Sequence, residues 1–490
     1  MNNLKYIFDS SVLKPYDIRG LVDKNITKET AYFVGKSYGT LLIREKNKHS
    51  CIVGFDGRLT SKEYADEVVR GLKETGINVI NIGLVPTPMV YFGIFHLNVD
   101  AGVIITASHN PPEYNGFKFL TNEEPIFGND IQKLGEYSKN GDFESGNGKV
   151  EYRDIKESYI NFILKQLESD KLIKCDCPVS NLINKIVSIF KKPIKRKELN
   201  IVWDAGNGAM SVVMHEIIAK IPGKHTLICD TVDGTFPNHL ADPSIEKYME
   251  MLKEEVKKQN ADLGIAFDGD GDRIGLVDSE GFYFFGDQTL DIIMRDFLKK
   301  NPGEKVIFEL TSSQVLIDDI KKFGGVPVMW KPGHSSIKSK MKSDNIKIGG
   351  ETSGHMYFGE NHNFDDAFYA AIKLINFLST SEKSLTELRK EFPKTYLTKK
   401  VKLKTPDDIV KYEIPKAIAN RIREKDPNRE IFEIDGARVY LDDGWWLIRS
   451  SNTEPCMTAR CEARSEEGLE KCKTELKEQL AISGYNIDFE

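Results

Sequence analysis

The stretch that decides the fold is residues 101–118, AGVIITASHNPPEYNGFK. Its first five residues are small or aliphatic, which predicts a short buried strand. Polar and turn-forming residues follow at once, so this strand ends in a loop that carries Ser108. Open α/β folds bind their ligands at the carboxyl ends of such strands. The pattern predicts a site that presents the hydroxyl of Ser108 and the cation of Lys118, although an ordinary strand-to-turn junction also fits this stretch alone.

The rest of the chain alternates short apolar runs with amphipathic segments, which is typical of βαβ units and largely parallel sheets. The predicted strands are residues 51–55, 79–82, 101–105, 201–203, 263–267, 306–308 and 326–329. The predicted helices are residues 62–73, 152–167 and 288–299. Near the end of the chain, Asp442-Asp443-Gly444 separates the strand-like runs 439–441 and 445–448, which indicates a β-hairpin. We find no repeat of fixed period in the sequence.

The length of 490 residues exceeds what a single core organises, so several domains are expected. The pattern breaks near residues 155, 285 and 398. We expect α/β domains over 1–155, 156–285 and 286–398, followed by an α+β domain with an antiparallel sheet over 399–490. The basic run at residues 191–197, KKPIKRK, is interpreted as a solvated connector rather than a partner-binding patch.

Composition excludes several classes of protein. A net charge of −6 argues against a general nucleic-acid binder. No window approaches the ~18 unbroken apolar residues of a membrane-spanning helix, and the first residues show no secretion signal. Seven scattered cysteines are typical of a reducing cytoplasm. Neither Cys175/Cys177 nor Cys456/Cys461 has the partners that a zinc site needs, so we expect reduced thiols in a cytoplasmic protein.

A second loop, Asp268-Gly-Asp-Gly-Asp-Arg273, directly follows the predicted strand 263–267. Three carboxylates at alternate positions repel one another, and a hard divalent cation would supply the counter-charge. An acidic turn in solvent is the alternative. Three carboxylates leave an octahedral Mg²⁺ incomplete, and an oxygen of a phosphate on Ser108 would be a further ligand. The two loops together therefore predict metal-assisted phosphoryl transfer to and from the serine.

Two further loops have the composition of ligand-binding loops. Gly350-Glu-Thr-Ser-Gly-His355 offers a carboxylate, a hydroxyl and an imidazole that suit the hydroxyls of a sugar, or else forms a turn that caps a helix. Arg449-Ser-Ser-Asn-Thr-Glu-Pro455 places a guanidinium beside hydroxyl and amide groups. This second loop predicts a phosphate cradle, with a capped turn as the alternative.

These loops and Tyr16-Asp-Ile-Arg-Gly20 occur in the order YDIRG, TASHNP, DGDGDR, GETSGH and RSSNTEP. On these motifs the chain resembles the α-D-phosphohexomutases, specifically their phosphomannomutase/phosphoglucomutase branch. The resemblance spans essentially the whole chain. It implies an α/β fold in which three related α/β domains and a smaller C-terminal α+β domain surround a central cleft.

The resemblance also implies roles for individual residues. The implied catalytic residues are Ser108, which would be phosphorylated, His109, Lys118, Arg273 and His355. Lys118 and His355 are the candidates for proton transfer at the sugar hydroxyl. The implied Mg²⁺ ligands are the phosphorylated Ser108, Asp268, Asp270 and Asp272. The implied substrate-binding residues are Tyr16, Arg19, Lys331, His334, Glu351, Ser353, Arg449, Ser451, Asn452 and Thr453.

Within that last group, Glu351 and Ser353 would hold the sugar's 3- and 4-hydroxyls, and the four residues of the 449–453 loop would hold the phosphate that is not transferred. The implied activity is the interconversion of hexose 1-phosphate and hexose 6-phosphate, of mannose or glucose, by an intramolecular phosphotransferase. A phosphoserine and a hexose 1,6-bisphosphate would carry the phosphoryl group, and the bisphosphate would also be the activator. The implied partners are small sugar phosphates.

Two alternatives stay open: a phosphoglucosamine mutase, and a catalytically silent sugar-phosphate-binding protein on the same scaffold. Asn452 and Gly271 favour the phosphomannomutase/phosphoglucomutase branch over the first alternative. Thr352 departs from the methionine that is common in this branch, and the chain carries extra residues between Tyr152 and Ile201. The preference for mannose or glucose and the oligomeric state are not readable from the sequence.

Overall fold

Four separate β-sheets, each with its own helices, organise the chain. The computed structural model describes residues 4–168, 196–407, 409–451 and 456–489. Asn452, Thr453, Cys175, Cys177 and most of the predicted connector at 191–197 lie outside the described residues. Among the described helices, none has the length and apolar character needed to cross a membrane.

The first domain contains a six-stranded sheet with helices on both faces. Its strands are β1 (Ile18–Leu21), β2 (Ser50–Phe55), β3 (Asn78–Leu84), β4 (Ala101–Ile105), β5 (Tyr114–Thr121) and β6 (Val150–Tyr152). Its helices are a 3₁₀ turn (Ser10–Val12), α1 (Lys28–Lys46), α2 (Ser61–Thr75), α3 (Thr87–His96) and α4 (Asn129–Asn140). The strand order is β1-β5-β4-β2-β3-β6, with β2, β3, β4 and β6 parallel and β5 antiparallel to β4.

The second and third domains each contain a five-stranded sheet. The second has α5 (Lys156–Glu168), β7 (Leu199–Asp204), α6 (Ser211–Ile218), β8 (Gly223–Ile228), a 3₁₀ turn (Glu246–Met249), α7 (Glu250–Lys258), β9 (Leu263–Phe267), β10 (Ile274–Asp278) and β11 (Tyr283–Phe284). The third has α8 (Gly286–Lys300), β12 (Lys305–Glu309), α9 (Gln314–Lys322), β13 (Val326–Trp330), α10 (His334–Asp344), β14 (Ile348–Gly350), β15 (Met356–Phe358), a 3₁₀ turn (Gly359–Asn361), β16 (Phe364–Asp365), α11 (Ala367–Thr380) and α12 (Leu385–Arg389).

These three sheets share one topology. Five positions follow the same spatial order, β3-β2-β4-β5-β1, β8-β7-β9-β10-β11 and β13-β12-β14-β15-β16. In each sheet the first three strands are parallel to one another. The fourth strand pairs antiparallel with the third, and the fifth pairs antiparallel with the fourth. The first sheet differs only in taking its fifth strand from the N-terminus and in adding β6. Consequently the loops 106–113, 268–273 and 351–355 are the same connection, from third to fourth strand, in three repeated units.

The fourth domain is antiparallel. Its strands are β17 (Tyr396–Leu397), β18 (Val401–Lys404), β19 (Ile431–Phe432), β20 (Ala437–Leu441), β21 (Gly444–Ser450) and β22 (Cys456–Ala463), with helices α13 (Val410–Lys425) and α14 (Glu466–Ile482). The predicted hairpin is confirmed, because β20 and β21 pair with Leu441 opposite Gly444. Since β17 pairs with β22, this sheet begins shortly before the expected boundary at residue 399.

The predicted strands all fall within observed strands, and the helices expected at 62–73 and 288–299 are α2 and α8. The expectation of a helix from residue 152 was wrong at its start. Tyr152 ends the edge strand β6, which pairs with β3, and the helix begins at Lys156.

One apolar core runs through the first three domains. Trp203 of the second domain stacks on Phe267 and on Phe368 of the third, with ring centroids 6.1 and 5.4 Å apart. Helix α5 continues this core, and its Tyr159 hydroxyl donates a 3.0 Å hydrogen bond to Oδ2 of Asp366 in the third domain. The first three domains therefore form one body.

The fourth domain has a core of its own around Trp446. It docks on the third domain through Arg438, a fully buried residue whose guanidinium donates 2.8 Å hydrogen bonds to the carbonyls of Leu310 and Ser312. Arg438 also stacks on the indole of Trp445, at 3.7 Å from the ring centroid.

Candidate active site

The serine loop presents Ser108 to the acidic loop of the second domain. Ser108 is buried and adopts a left-handed backbone conformation with φ of 53°, which its N–H supports by donating a 2.7 Å hydrogen bond to Oγ1 of Thr106. Its Oγ donates a 2.7 Å hydrogen bond to Oδ2 of Asp268 and lies 3.1 Å from Nδ1 of His109. Burial and the charge of Arg273 hold the pKa of His109 well below its usual value, so that imidazole is neutral.

Arg58 holds the serine loop in shape, and sequence reasoning missed it. Its guanidinium donates hydrogen bonds to four backbone carbonyls, those of Ser108 (2.8 Å), Asn110 (2.5 Å), Pro111 (2.7 Å) and Tyr114 (2.9 Å). The buried carboxylate of Asp56 lies 3.3 Å from Nε of Arg58. The sequence did contain a signal for Arg58. Asp56 and Arg58 directly follow the predicted strand 51–55, and a buried ion pair at the end of a strand is costly unless it makes compensating contacts.

The acidic loop brings three fully buried carboxylates together. One oxygen each of Asp268, Asp270 and Asp272 lies within 4.8 Å of the others. The backbone N–H groups of Asp272 and Arg273 donate to Oδ1 of Asp268, at 3.0 and 3.2 Å. Thr87 donates a 2.6 Å hydrogen bond to Oδ2 of Asp270. The backbone of the loop therefore encloses the carboxylate of Asp268.

A single lysine partly neutralises these carboxylates. Nζ of Lys118 lies 2.7 Å from Oδ2 of Asp270 and 2.6 Å from Oδ2 of Asp272. Burial alone would lower the pKa of Lys118, but these two carboxylates raise it above its usual value. Burial and the charges of Asp270 and Asp272 raise the pKa of Asp268 well above its usual value, although Arg273 and Lys118 oppose this shift.

The acidic cluster fits a hard divalent cation. Oδ1 of Asp270 and Oδ1 of Asp272 are buried and have no hydrogen-bond partner among the described residues. The donor set consists of carboxylate oxygens, which Mg²⁺ prefers. The unsatisfied oxygens and the excess negative charge are what a bound cation would relieve.

The loop 351–355 of the third domain is joined to the acidic loop. Nε of Arg273 donates a 3.0 Å hydrogen bond to Nε2 of His355, and the N–H of Ile274 donates a 3.0 Å hydrogen bond to the carbonyl of Gly354. Gly354 has a φ of 95°, and a Cβ there would lie 2.5 Å from the carbonyl oxygen of Ile274. Only glycine allows the two loops to approach this closely.

His355 faces two carboxylates on its other side. Its Nδ1 lies 2.9 Å from Oδ2 of Asp365 and 3.7 Å from Oδ1 of Asp272. Lys338 forms a buried ion pair with Asp365 and donates a 3.2 Å hydrogen bond to the hydroxyl of Tyr91. Although burial would raise the pKa of Asp365, Lys338 and His355 hold it well below its usual value. Sequence reasoning missed Asp365 and Lys338, because neither belongs to a recognisable motif.

Glu351 orients the loop that contains His334. Its Oε1 accepts a 2.7 Å hydrogen bond from the N–H of Gly333, and its Oε2 accepts a 2.5 Å hydrogen bond from Tyr357. Burial raises the pKa of Glu351. The hydroxyl of Tyr16 donates a 3.0 Å hydrogen bond to the carbonyl of Pro332, and the Tyr16 ring lies 6.1 Å from the ring of His334.

The remaining predicted residues have different partners. Arg19 donates hydrogen bonds to Asn110 of the serine loop (2.6 Å) and to Asp17 (2.5 Å). Lys331 and Ser353 are half-buried, and their side chains make no hydrogen bond with the described residues. Burial and the charge of Lys338 hold the pKa of His334 well below its usual value.

The fourth domain contributes Arg449 and Ser451. Nε of Arg449 donates a 2.8 Å hydrogen bond to Oδ2 of Asp435, and the N–H of Ser451 donates to the carbonyl of Cys456. Burial and the charge of the Asp435 carboxylate raise the pKa of Tyr16 in the first domain. Asn452 and Thr453 cannot be placed, since they fall outside the described residues.

Comparison with known proteins adds independent findings. The phosphoglucomutase/phosphomannomutase α/β/α domains I, II and III match residues 11–145, 179–281 and 285–396, and the C-terminal domain of the same family matches residues 399–479. The phosphomannomutase/phosphoglucomutase of Pseudomonas aeruginosa is 37% identical over 472 residues, which are 96% of each chain. The phosphoglucomutase of Neisseria meningitidis serogroup A is 36% identical over 95% of this chain and 96% of its own.

A solved structure agrees. The fold superimposes on a phosphoglucomutase/phosphomannomutase family protein from Burkholderia thailandensis with a TM-score of 0.86, at 29% identity, over 98% of this chain and 99% of that one.

Proposed function

Because the chain belongs to the phosphoglucomutase/phosphomannomutase family, we propose that it interconverts the 1-phosphate and the 6-phosphate of a hexose, mannose or glucose, through a phosphoserine at Ser108. The observation that carries this proposal is the hydrogen bond from Ser108 to Asp268, which sets the hydroxyl on the edge of a buried triple carboxylate. Cys51, Cys461 and Cys472 are buried and form no disulfide with the described residues, which suits a cytoplasmic enzyme.

Asp268, Asp270 and Asp272, with an oxygen of the phosphorylated Ser108, would hold Mg²⁺. The bound cation would offset the negative charge of the phosphoryl group during transfer. Lys118 and Arg273 add fixed positive charge beside the same carboxylates. The chain's own residues therefore pre-organise the electrostatic field in which the phosphoryl group moves.

The transfer exchanges one bond for another. The bond between phosphorus and Oγ of Ser108 breaks, and a bond between phosphorus and a sugar hydroxyl oxygen forms. Oγ of Ser108 takes up a proton and becomes a hydroxyl again, and the sugar hydroxyl loses its proton. We assign the proton of the sugar hydroxyl to His355. Asp365 lies 2.9 Å from Nδ1 and orients the ring, and Nε2 would exchange the hydrogen bond that it accepts from Arg273 for the sugar hydroxyl. Lys118 keeps its own proton, since Asp270 and Asp272 raise its pKa, and it serves as the cation that steadies the transferring group.

The product of this step is a hexose 1,6-bisphosphate, which must turn around before Ser108 recovers a phosphoryl group. A second phosphate grip is therefore required, and Arg449 and Ser451, with Asn452 and Thr453, would form it. Glu351 and Ser353 would hold the 3- and 4-hydroxyls, which remain roughly equivalent after the turn. The fourth domain would cover the cleft and protect the phosphoserine from water.

The test is mutase turnover of glucose 1-phosphate and mannose 1-phosphate with Mg²⁺ and glucose 1,6-bisphosphate as primer. Activity like that of the wild type in Ser108→Ala would refute the role of the serine. Turnover of glucosamine 1-phosphate in preference to both sugars would support a phosphoglucosamine mutase instead. Calorimetric binding of these sugar phosphates without any turnover would establish a silent binding protein.

A further inference from the structure

A second cluster of ligand-type side chains lies in the second domain, outside the site of Ser108. Asp204 ends strand β7, and Cys229 follows the neighbouring parallel strand β8, in which Ile228 pairs with Asp204. The loop that follows brings in His239. Nε2 of His239 lies 3.0 Å from Oδ2 of Asp204 and 3.8 Å from Sγ of Cys229, so a carboxylate, an imidazole and a thiol converge.

The outward-facing atoms of this cluster are already held in place. Nδ1 of His239 lies 3.0 Å from the carbonyl of Leu240, an arrangement in which Nδ1–H donates to that carbonyl. Oδ1 of Asp204 accepts a 2.8 Å hydrogen bond from the N–H of Gly206. Such supporting hydrogen bonds fix the ring and the carboxylate of metal-binding residues. They leave Nε2 of His239 and Oδ2 of Asp204 facing each other across the cluster.

Two acceptor atoms this close need a cation between them. Asp204 is fully buried, and its carboxylate cannot be compensated by solvent. A proton on Nε2 satisfies the pair when nothing else is bound. Although burial lowers the pKa of His239, Asp204 and Cys229 raise it to about 11, and burial raises the pKa of the Cys229 thiol.

We propose that Sγ of Cys229, Nε2 of His239 and Oδ2 of Asp204 bind one zinc-type transition-metal ion. Tetrahedral zinc geometry places nitrogen and sulfur ligands about 3.6 Å apart and nitrogen and oxygen ligands about 3.3 Å apart. The observed separations of 3.8 and 3.0 Å are close to these values. Binding releases one proton from the thiol and one from the imidazolium.

The donor set separates this site from the carboxylate cluster. Thiolate and imidazole select zinc and related ions, whereas Asp268, Asp270 and Asp272 offer only the oxygens that suit Mg²⁺. Cys229 and His239 are partly exposed, with 12% of the His239 side chain accessible, so an ion can reach the cluster from solvent. Three protein ligands leave a fourth position for water.

The site also adjoins the backbone of the acidic loop. The N–H of Ala209 donates a 2.9 Å hydrogen bond to the carbonyl of Gly269, and the N–H of Gly269 donates a 3.2 Å hydrogen bond to the carbonyl of Ala241. Both supporting residues belong to the segments that follow Asp204 and His239. The ion would therefore link the two segments whose backbones are hydrogen-bonded to Gly269.

The test is a Co²⁺ titration of the full-length protein, stripped of metal by a chelator, in excess Mg²⁺. We expect one equivalent of cobalt to produce a thiolate-to-cobalt charge-transfer absorption. Cys229→Ser should abolish this absorption, and His239→Ala should weaken cobalt binding at least tenfold. The matched control is His215→Ala, because His215 lies 3.1 Å from Asp230 on the surface of the same domain without a thiol, and it should change nothing.

A second measurement uses the wild-type chain, in case a variant fails to fold. Zinc should slow the alkylation of Cys229 by iodoacetamide at least tenfold, measured by mass spectrometry of the Cys229 peptide, and an equal concentration of Mg²⁺ should not. Absence of the absorption in the wild type, its persistence in Cys229→Ser, or alkylation of Cys229 at an unchanged rate in zinc would each overturn the proposal.

Discussion

Ser108 and Asp268 lie 160 positions apart in the chain, and the Oγ of the serine donates a 2.7 Å hydrogen bond to Oδ2 of the aspartate. The contact joins the third-to-fourth-strand loop of one repeated unit to the equivalent loop of the next. It fixes the nucleophile by a hydrogen bond rather than by sequence proximity. The predictions below concern this contact and the groups around it.

Ser108→Ala should lower mutase activity by at least about 10³-fold, because the proposed mechanism passes the phosphoryl group through this hydroxyl. The wild-type protein should gain the mass of one phosphate after incubation with glucose 1,6-bisphosphate, and the variant should not. Ser343→Ala, at an exposed serine of α10, is the control and should behave like the wild type in both measurements. Phosphate incorporation in Ser108→Ala would contradict the assignment.

Arg58→Lys should lower kcat by about 10- to 100-fold, because a lysine cannot reach four carbonyls of the serine loop at once. The free energy of unfolding should also fall, by about 3 kcal/mol, since the buried Asp56 loses its fixed partner. Steady-state kinetics and urea unfolding measure the two effects. Arg70→Lys, at an exposed arginine of α2, should change neither, and an equally small change in Arg58→Lys would remove Arg58 from the positioning role.

Lys118→Met should have opposite effects on metal binding and on turnover. Its Nζ occupies carboxylate oxygens of Asp270 and Asp272 that a divalent cation would use. Removing this competing cation should tighten Mg²⁺ binding by about tenfold, while loss of its charge near the phosphoryl group abolishes turnover. Calorimetry with Mg²⁺ and a mutase assay separate the effects. Weaker Mg²⁺ binding in the variant would show that lysine and metal do not compete.

His355→Gln and Asp365→Asn should each lower kcat by about 100-fold, because the carboxylate orients the imidazole that accepts the proton. The two residues act as a unit, so the double variant should lose little more than either single variant. Additive losses in this double-mutant cycle, measured as kcat, would assign them independent roles. KM should stay nearly constant if neither residue holds the substrate.

Asp366→Asn should raise the free energy of unfolding relative to the wild type by more at pH 8 than at pH 5. Burial raises the pKa of Asp366 from 3.8 to about 7 in the folded state. A raised folded pKa means that the stability this carboxyl contributes is fully present below pH 3.8 and is lost as pH rises through about 7, a span worth as much as about 4 kcal/mol. Asparagine keeps the neutral form at every pH.

Urea unfolding at both pH values measures this difference. The exposed Asp442→Asn is the control and should show no such change with pH. An Asp366→Asn variant that is less stable than the wild type at pH 8 would mean that the ionised carboxylate is favourable, through the hydrogen bonds it accepts from Tyr159 and Tyr369.

Much of the fold could be predicted from apolar periodicity, because strands that are buried on both faces, such as 101–105 and 263–267, are continuous apolar runs. The apolar pattern alone did not show the triplication, and the expectation of three related α/β domains came only from the family resemblance. Loops and helices of different lengths separate the equivalent strands, so the sequence has no fixed period although the sheets share one topology. The start of α5 was misjudged because the short strand β6 ends at Tyr152, just before the helical pattern begins.

Some residues of the candidate site could be predicted from the sequence and others could not. Ser108 and the three aspartates stand in motifs whose residue types already indicate their chemistry. Arg58, Asp365 and Lys338 act only through contacts made in three dimensions, with backbone carbonyls or with single side chains far along the chain. Cys229 and His239 were missed for the same reason, since neither has a ligand-type neighbour at metal-site spacing in the sequence.

The apolar core that runs through the first three domains has a consequence for biosynthesis. Trp203 and Phe267 are covered by Phe368, which a ribosome adds about a hundred residues later. A nascent chain that has completed two domains therefore exposes the aromatic surface that the third will bury. We expect chaperones that recognise exposed apolar surface to bind the nascent chain at this stage.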